Sequence, residues 1–258
     1  MRLQGKLALI TGASSGIGEA CARRFAAEGA GLILWARRAD RLDHVAREIT
    51  AAHGCTVHTA IVDVRDRAAV EAEVERTVAT AGVPDILVNN AGLAAGFTVL
   101  HEGDPEDWDR MIDTNVKGLL YVSRAVIPHM VSADRGHVIN IGSTAAHTQY
   151  PKGNVYAATK FAVRALSEGM SVDTLGSRIR ISQIDPGLVE TEFSVVRFHG
   201  DDERAKKVYE GIRPLTGDDI AETVAYVAGL PEYMNILDLV VVPTPQRNIT
   251  TIDRREAQ

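Results

Sequence analysis

Thr11-Gly12-Ala13-Ser14-Ser15-Gly16-Ile17-Gly18 follows an apolar run, Leu7–Ile10, and opens a stretch of helical periodicity, Gly18–Glu28. Glycines at a strand-to-helix turn leave the backbone bare, so an incoming group can approach it closely. The start of the helix adds unpaired N–H groups and the positive end of its dipole, which together favour an anion. The stretch therefore reads as a cradle for a dinucleotide pyrophosphate. A glycine-rich loop can also be no more than a tight turn, and the rest of the chain decides between the two.

Outward from that turn, short apolar runs recur at Leu7–Ile10, Leu32–Trp35, Val57–Val62, Ile86–Val88, His137–Ile141, Ile179–Ile184 and Leu237–Val242. Helical periodicity fills the gaps: Gly18–Glu28, Ala39–His53, Ala68–Ala81, Glu106–Met130, Val155–Leu175 and Asp218–Leu230. Strands that are apolar on both faces and alternate with helices predict a parallel sheet covered on each side, a doubly wound α/β fold of seven strands. Asp104-Pro105-Glu106 marks one helix start with an N-cap acceptor, a proline at the first position and an early acid. The 258 residues are read as one domain, without internal repeat or linker. Gly187 to about Thr216 breaks the rhythm, with no strand expected and a charged stretch from Asp201 to Lys207. An irregular interval of that length suggests a substrate loop, here residues 187–216. The polar tail, residues 243–258, is expected on the surface or against a neighbouring subunit.

Hydrophobic residues make up 45% and charged residues 24%, ordinary globular usage. The net charge is −6 and the basic residues form no stripe, which argues against a nucleic-acid partner. Cys21 and Cys55 lie in no pairing motif or metal-ligand spacing, so no metal is expected and a reducing cytoplasm suits both thiols. The first five residues lack the basic flank and apolar stretch of an export signal. The late apolar segment Ile236–Val242, interrupted by Asp238, is far shorter than the about 20 residues of a membrane helix.

Tyr156 and Lys160 stand four apart in a helical stretch and therefore share a face. A phenol with a pKa near about 10 is a poor acid or base at neutral pH, and a neighbouring ammonium is expected to lower it. Ser143 falls just beyond the fifth strand, at the edge where ligand clefts of such sheets open. After the second strand comes Ala36-Arg37-Arg38, without the carboxylate that would hold a ribose 2′-hydroxyl. Arg37, supported by Arg38, can instead pair with a 2′-phosphate, which favours NADP. A solvated basic helix start is the other reading of that pair.

The Thr-Gly-x3-Gly-x-Gly spacing, Asn89-Asn90-Ala91-Gly92, Ser143, Tyr-x3-Lys and Asp185-Pro186-Gly187, in this order, resemble the short-chain dehydrogenase/reductase family over nearly the whole chain. The resemblance implies a Rossmann-type fold, NADP(H) as cofactor and Asn115, Ser143, Tyr156 and Lys160 as the catalytic set. It implies that Ser143 holds the substrate oxygen while Tyr156 moves a proton and hydride passes to or from the nicotinamide. It implies that Lys160 bonds the nicotinamide ribose and starts a proton relay to solvent through a water held by the backbone carbonyl of Asn115; a buried polar core residue is the other reading of Asn115. Cofactor contacts are implied for Gly12, Ser14, Ser15, Gly16, Ile17, Gly18, Asp63, Val64, Asn89, Ala91, Gly92, Pro186, Gly187, Val189 and Thr191. A homotetramer packed through the long helices is also implied.

Met111–Asn115, Asn140–Ala145, Pro186–Ser194 and Val196-Arg197-Phe198 resemble the NADP-dependent 3-hydroxy acid dehydrogenases, a branch acting on serine, L-allo-threonine and 3-hydroxypropionate. Such a small-molecule substrate carries a carboxylate, and Arg197 is the candidate cation for it. Arg197 could instead tie down its own loop through an acidic neighbour. His147–Lys152 is expected to line the opposite wall and departs from the small apolar residues common there. A reductase of a bulkier aldehyde or ketone, and a cofactor-sensing scaffold without turnover, are the competing functions.

Overall fold

The computed structural model describes residues 1–255. Six strands joined by five helical connections run β1 (Leu7–Thr11), α1 (Gly16–Ala27), β2 (Gly31–Ala36), α2 (Ala39–His53), β3 (Val57–Ile61), α3 (Arg67–Ala81), β4 (Ile86–Asn89), α4 (Pro105–Ile112), α5 (Leu119–Ser132), β5 (Gly136–Ile141), α6 (Asn154–Asp173) and β6 (Ile179–Pro186). Then follow β7 (Val189–Glu190), α7 (Phe193–Arg197), α8 (Asp202–Lys207), β8 (Leu215–Thr216), α9 (Gly217–Ala228) and β9 (Asp238–Val241). Seven strands form one sheet in the order β3-β2-β1-β4-β5-β6-β9, with every neighbouring pair parallel. The seven apolar runs of the sequence are these seven strands.

Side chains alternate across the sheet and divide the core in two. Ile10, Leu32, Leu34 and Val88 pack with Phe25 of α1, Leu42 and Ile49 of α2, and Ile220 and Val224 of α9. Leu9, Ile33, Leu87 and Val138 face Val70 and Val74 of α3 and Val122, Val126 and Met130 of α5. Truncating one of these wholly buried residues to alanine costs about 2–5 kcal/mol. The chain winds outward from β1 to β3, then restarts at β4 on the other side of β1. This order reversal leaves a crevice beyond the C-terminal ends of β1 and β4.

Asp104 caps α4 as its sequence suggests, accepting the Glu106 N–H at 2.9 Å with Pro105 behind it. Two expectations need correction. The helix from Glu106 to Met130 is interrupted: residues Asp113–Gly118 form a π-helical turn, whose extra residue per turn shifts the register between α4 and α5. Gly187–Thr216 does contain strands, because β7 and β8 pair in parallel through Val189–Leu215 and Glu190–Thr216. With α7 and α8 between them, they make a small lid at the C-terminal edge of the sheet. No helix among the described residues is long and apolar enough to cross a membrane. The tail assignment 243–258 extends past the described residues at 256–258.

Candidate active site

A cleft of about 360 Å³ runs along the C-terminal edge of the sheet, from Arg37 and Arg38 past Gly12–Ile17 to Ser143, Tyr156, Lys160 and Arg197. Gly12 and Gly16 have positive φ, 67° and 57°, the left-handed conformation for which glycine is suited. A Cβ on Gly12 would lie 2.9 Å from Asn90 Nδ2 and 3.0 Å from Ala91 Cα, so the turn must stay bare to fit against the β4 loop. Thr11 Oγ1 fastens that loop by accepting the Asn90 and Ala91 N–H groups at 3.1 and 3.0 Å. Ser15 is the N-cap of α1, yet its side chain makes no cap hydrogen bond. Its hydroxyl instead accepts from Arg38 Nη2 at 2.6 Å, leaving the first-turn N–H groups to an anion.

Arg38 is held in place by side-chain hydrogen bonds. It reaches Ser14 Oγ at 3.3 Å as well as Ser15, and its Nη1 donates to Glu192 at the base of α7 at 3.0 Å. Arg37 lines the same end of the cleft. This bare turn, with two hydroxyls and two guanidinium groups at its adenosine end, fits a dinucleotide bearing a 2′-phosphate. Asp63 and Val64 follow along the wall. The Arg65 guanidinium holds the Asp63 carboxyl below the usual carboxylate range. Ala91, Gly92, Pro186, Gly187, Val189 and Thr191 complete the nucleotide half.

Three expected site residues do not line the cleft. Asn89 continues the Leu87 face of β4 towards α5, donating to Ser123 Oγ at 3.0 Å and Asn140 Oδ1 at 2.9 Å. Its neighbour Asn90 takes the wall, because successive strand residues face opposite ways. Gly18 serves packing: a Cβ there would sit 2.4 Å from both Asn90 Nδ2 and the Gly12 carbonyl. Asn115 is buried in the π-helical turn, where its side chain accepts the Leu93 N–H at 2.9 Å and donates to the Leu93 carbonyl at 2.8 Å and Thr159 Oγ1 at 3.0 Å. It pins the loop after β4.

Ser143, Tyr156 and Lys160 converge on one point. Lys160 Nζ lies 5.9 Å from the Tyr156 ring centroid and donates to the Ile141 carbonyl at 2.9 Å. The expected electrostatics are corrected here. Burial pushes the Tyr156 hydroxyl up to about 12, and the same burial pushes Lys160 down to about 8. The strongest influence in the opposite direction on Tyr156 is Arg197, not Lys160. Desolvation, invisible in residue spacing, outweighs the ammonium one helical turn away.

Arg197 lines the cleft. Among the described residues no acidic neighbour ties it down; Nη2 donates to the Tyr150 hydroxyl at 2.7 Å. Its guanidinium carbon stands 4.9 Å from the Tyr156 ring centroid and 5.3 Å from that of Phe193. Nε is buried without a hydrogen-bond partner among the described residues. Of the segment 147–152, only Tyr150 joins the cleft wall; His147 turns away to Asp185 at 2.5 Å.

Several lining residues escaped sequence reasoning. Gln246, 1% exposed, is a buried residue of a tail that is otherwise mostly exposed or half-buried: its Oε1 accepts the Leu188 N–H at 2.9 Å and closes over Gly187, where a Cβ would lie 2.3 Å away. Its position after the last strand, on the edge shared by every other site residue, was the available signal. Tyr209 bonds Ser194 at 2.7 Å and the Val189 carbonyl at 2.9 Å, fixing the lid from inside. Burial raises its hydroxyl pKa.

A doubly wound sheet with a glycine-rich turn at its switch point and a serine, tyrosine and lysine farther along the same cleft defines a dinucleotide-dependent oxidoreductase. Residues 6–201 match the short chain dehydrogenase family, and the chain belongs to that family. An NADP-dependent 3-hydroxy acid dehydrogenase of Salmonella typhi is 48% identical over 241 residues, 93% of this chain and 96% of that protein. Sulfoacetaldehyde reductase 2 of Chromohalobacter salexigens is 41% identical over 241 residues, 93% and 95% of the two chains. The closed form of a serine dehydrogenase complexed with NADP+ superposes with a TM-score of 0.89 at 46% identity, covering 93% of this chain and 96% of that one.

Proposed function

We propose that this protein is an NADP-dependent oxidoreductase that interconverts a hydroxyl and a carbonyl on a small 3-hydroxy acid such as serine, allo-threonine or 3-hydroxypropionate. The observation that carries the substrate class is the Arg197 Nε, buried and unpartnered beside the Tyr156 ring. A buried donor on a cation is costly to leave unpaired and is met by a ligand carboxylate. The relatives support an anionic substrate, since one is named for 3-hydroxy acids and one for sulfoacetaldehyde. Aromatic side chains of Tyr150, Tyr156, Phe193 and Tyr209 crowd this end of the cleft and suit a small substrate over a bulky carbonyl. The convergence of Ser143, Tyr156 and Lys160 favours turnover over a cofactor-sensing scaffold.

Bound NADP(H) supplies or accepts the hydride. The chain's own groups handle the oxygen and its proton. With its hydroxyl at about 12, Tyr156 is protonated at neutral pH, ready to donate to the carbonyl oxygen in reduction and to take the proton back in oxidation. Ser143 holds the same oxygen from the β5 side. Lys160 is positioned to carry the proton onward, towards the loop that Asn115 pins. Arg197 holds the carboxylate and, by its charge, makes the phenolate easier to form. The lid 187–216 covers the substrate and excludes water. A homotetramer in the cytoplasm completes the reading; exposed apolar side chains of Leu120 on α5 and of Phe161 and Val172 on α6 support packing across subunits.

Arg197→Leu tests the assignment. One charge-assisted pairing is worth about 1.5–3 kcal/mol, so kcat/KM should fall about 10- to 150-fold more for malonic semialdehyde than for an uncharged aldehyde of the same length. An equal loss on both substrates, or turnover confined to bulky neutral carbonyls, contradicts the proposal.

A further inference from the structure

Asp185, near the end of β6, has no solvent exposure and lies outside the set of residues assigned above to the chemistry. Its Oδ1 accepts the Ser143 backbone N–H at 2.7 Å, and the Gln183 amide donates to both its oxygens at 2.9 and 2.8 Å. Its Oδ2 faces His147 Nε2 at 2.5 Å. On its other side, His147 Nδ1 faces Arg164 Nη1 at 3.1 Å, and Arg164 continues to Glu168 at 3.3 Å and Asp238 at 3.9 Å. A Cβ on Gly142 would lie 1.8 Å from Asp185 Oδ1, so only glycine at 142 lets the carboxylate reach the backbone beside Ser143.

A carboxylate wholly removed from water costs several kcal/mol unless it is paired and hydrogen-bonded. Packing alone would be served better by an apolar side chain. Donor atoms of His147, Asp185 and Asp238 lie within 4.8 Å of one another, but the cation of this trio is already the Arg164 guanidinium, so the cluster reads as an internal ion network. The buried cation nearby is Lys160: its Nζ donates to the Ile141 carbonyl at 2.9 Å, two residues before the Ser143 N–H that Asp185 accepts. Carboxylate and ammonium thus grip the same stretch of backbone, and the carboxylate favours the charged ammonium.

We infer that Asp185, clamped by His147 and Gln183, is a positioning residue for the reaction: it fixes the Ser143 loop through its backbone and serves as the buried counter-charge of Lys160. The inference rests on the proposed roles of Ser143, Tyr156 and Lys160. Its charge opposes deprotonation of both Lys160 and Tyr156, so the sign of its removal does not depend on which of the two titrates. The charged and titratable groups around it are His147, Asp238, Lys160, Tyr156, Arg164 and, through Arg164, Glu168; Arg197 and Tyr150 act on Tyr156 from the lid side.

The test compares the wild type with Asp185→Asn, which keeps the shape and loses the charge. In alcohol oxidation the limb of kcat/KM that rises with pH should move down by about one pH unit, with KM raised. A loss of the same factor at every pH, the limb unmoved, overturns the counter-charge. A second readout needs no substrate: the near-ultraviolet phenolate titration, taken as the difference from Tyr156→Phe, should move down by a similar amount in Asp185→Asn. That titration moving while every substrate fails would count against the proposed function and leave Asp185 supported; an unmoved titration overturns it. His147 is 26% exposed, so His147→Ala keeps the fold within reach if Asp185→Asn does not. It should raise KM about fivefold, the loss of one moderate hydrogen bond, and unchanged KM and kcat would overturn the clamp.

Discussion

Replacing Arg38 with alanine should convert a cofactor preference into near-indifference. In the structure Arg38 reaches Ser14 and Ser15 of the phosphate turn, at 3.3 and 2.6 Å, and Glu192 of the lid at 3.0 Å. A pairing between a guanidinium and a phosphate is worth about 1.5–3 kcal/mol. The side chain is 44% exposed, so solvent screening reduces the figure to about 1.5–2 kcal/mol. At about 1.4 kcal/mol per factor of ten, the NADPH dissociation constant should rise about 12- to 30-fold. NADH carries no 2′-phosphate and should lose less than about threefold, through the slackened turn alone. Arg37, still in place, keeps the loss from being larger. The Arg38–Glu192 pair is a surface contact worth about 0–1 kcal/mol, so the melting temperature should hardly change. Fluorescence titration with the two reduced nucleotides measures the ratio directly. Equal losses for both, or an unchanged NADPH affinity, would refute the assignment of this end of the cleft.

Two further substitutions probe the scaffold. Gly18→Ala puts a Cβ 2.4 Å from Asn90 Nδ2 and the Gly12 carbonyl; it should destabilise the protein by about 1–3 kcal/mol in denaturant titration and weaken both nucleotides alike, whereas a stable variant with normal affinity would show that α1 is less tightly seated. His137, buried against Ser182 at 2.8 Å, has its pKa pushed down from 6.5 to about 3 by burial. The unfolded chain therefore binds a proton between those values that the folded one refuses, so stability falls as pH drops from 6.5 towards 3, by up to about 1.4 kcal/mol per unit. His137→Gln should lack that part of the slope, and parallel stability curves for the two proteins would contradict it.

Legibility followed the physics of each feature. Seven strands were readable because a parallel sheet buried on both faces leaves apolar runs such as Ile86–Val88, and Asp104-Pro105 marked its helix start through local hydrogen bonding. The π-helical turn at Asp113–Gly118 was hidden because one extra residue barely disturbs an apolar periodicity. β7 and β8 are two residues each and exist only through each other. At the site, Ser143, Tyr156 and Lys160 could be picked by spacing and by their position at the sheet edge. Asn89 and Asn90 could not be told apart without strand phase, and the ring cluster around Arg197 needs a lid folded over α6. Gln246 lies far along the chain from the turn at Gly187 that it covers. The pKa of Tyr156 depends on burial, which spacing does not report.

The account stands on Tyr156 as the group that moves the proton, and Tyr156→Phe tests it most directly. Steady-state reduction of malonic semialdehyde by NADPH, paired with an NADPH binding titration, should show turnover reduced about 10²- to 10⁴-fold with the dissociation constant changed less than about threefold. Turnover within a few-fold of the wild type, with binding intact, would contradict it.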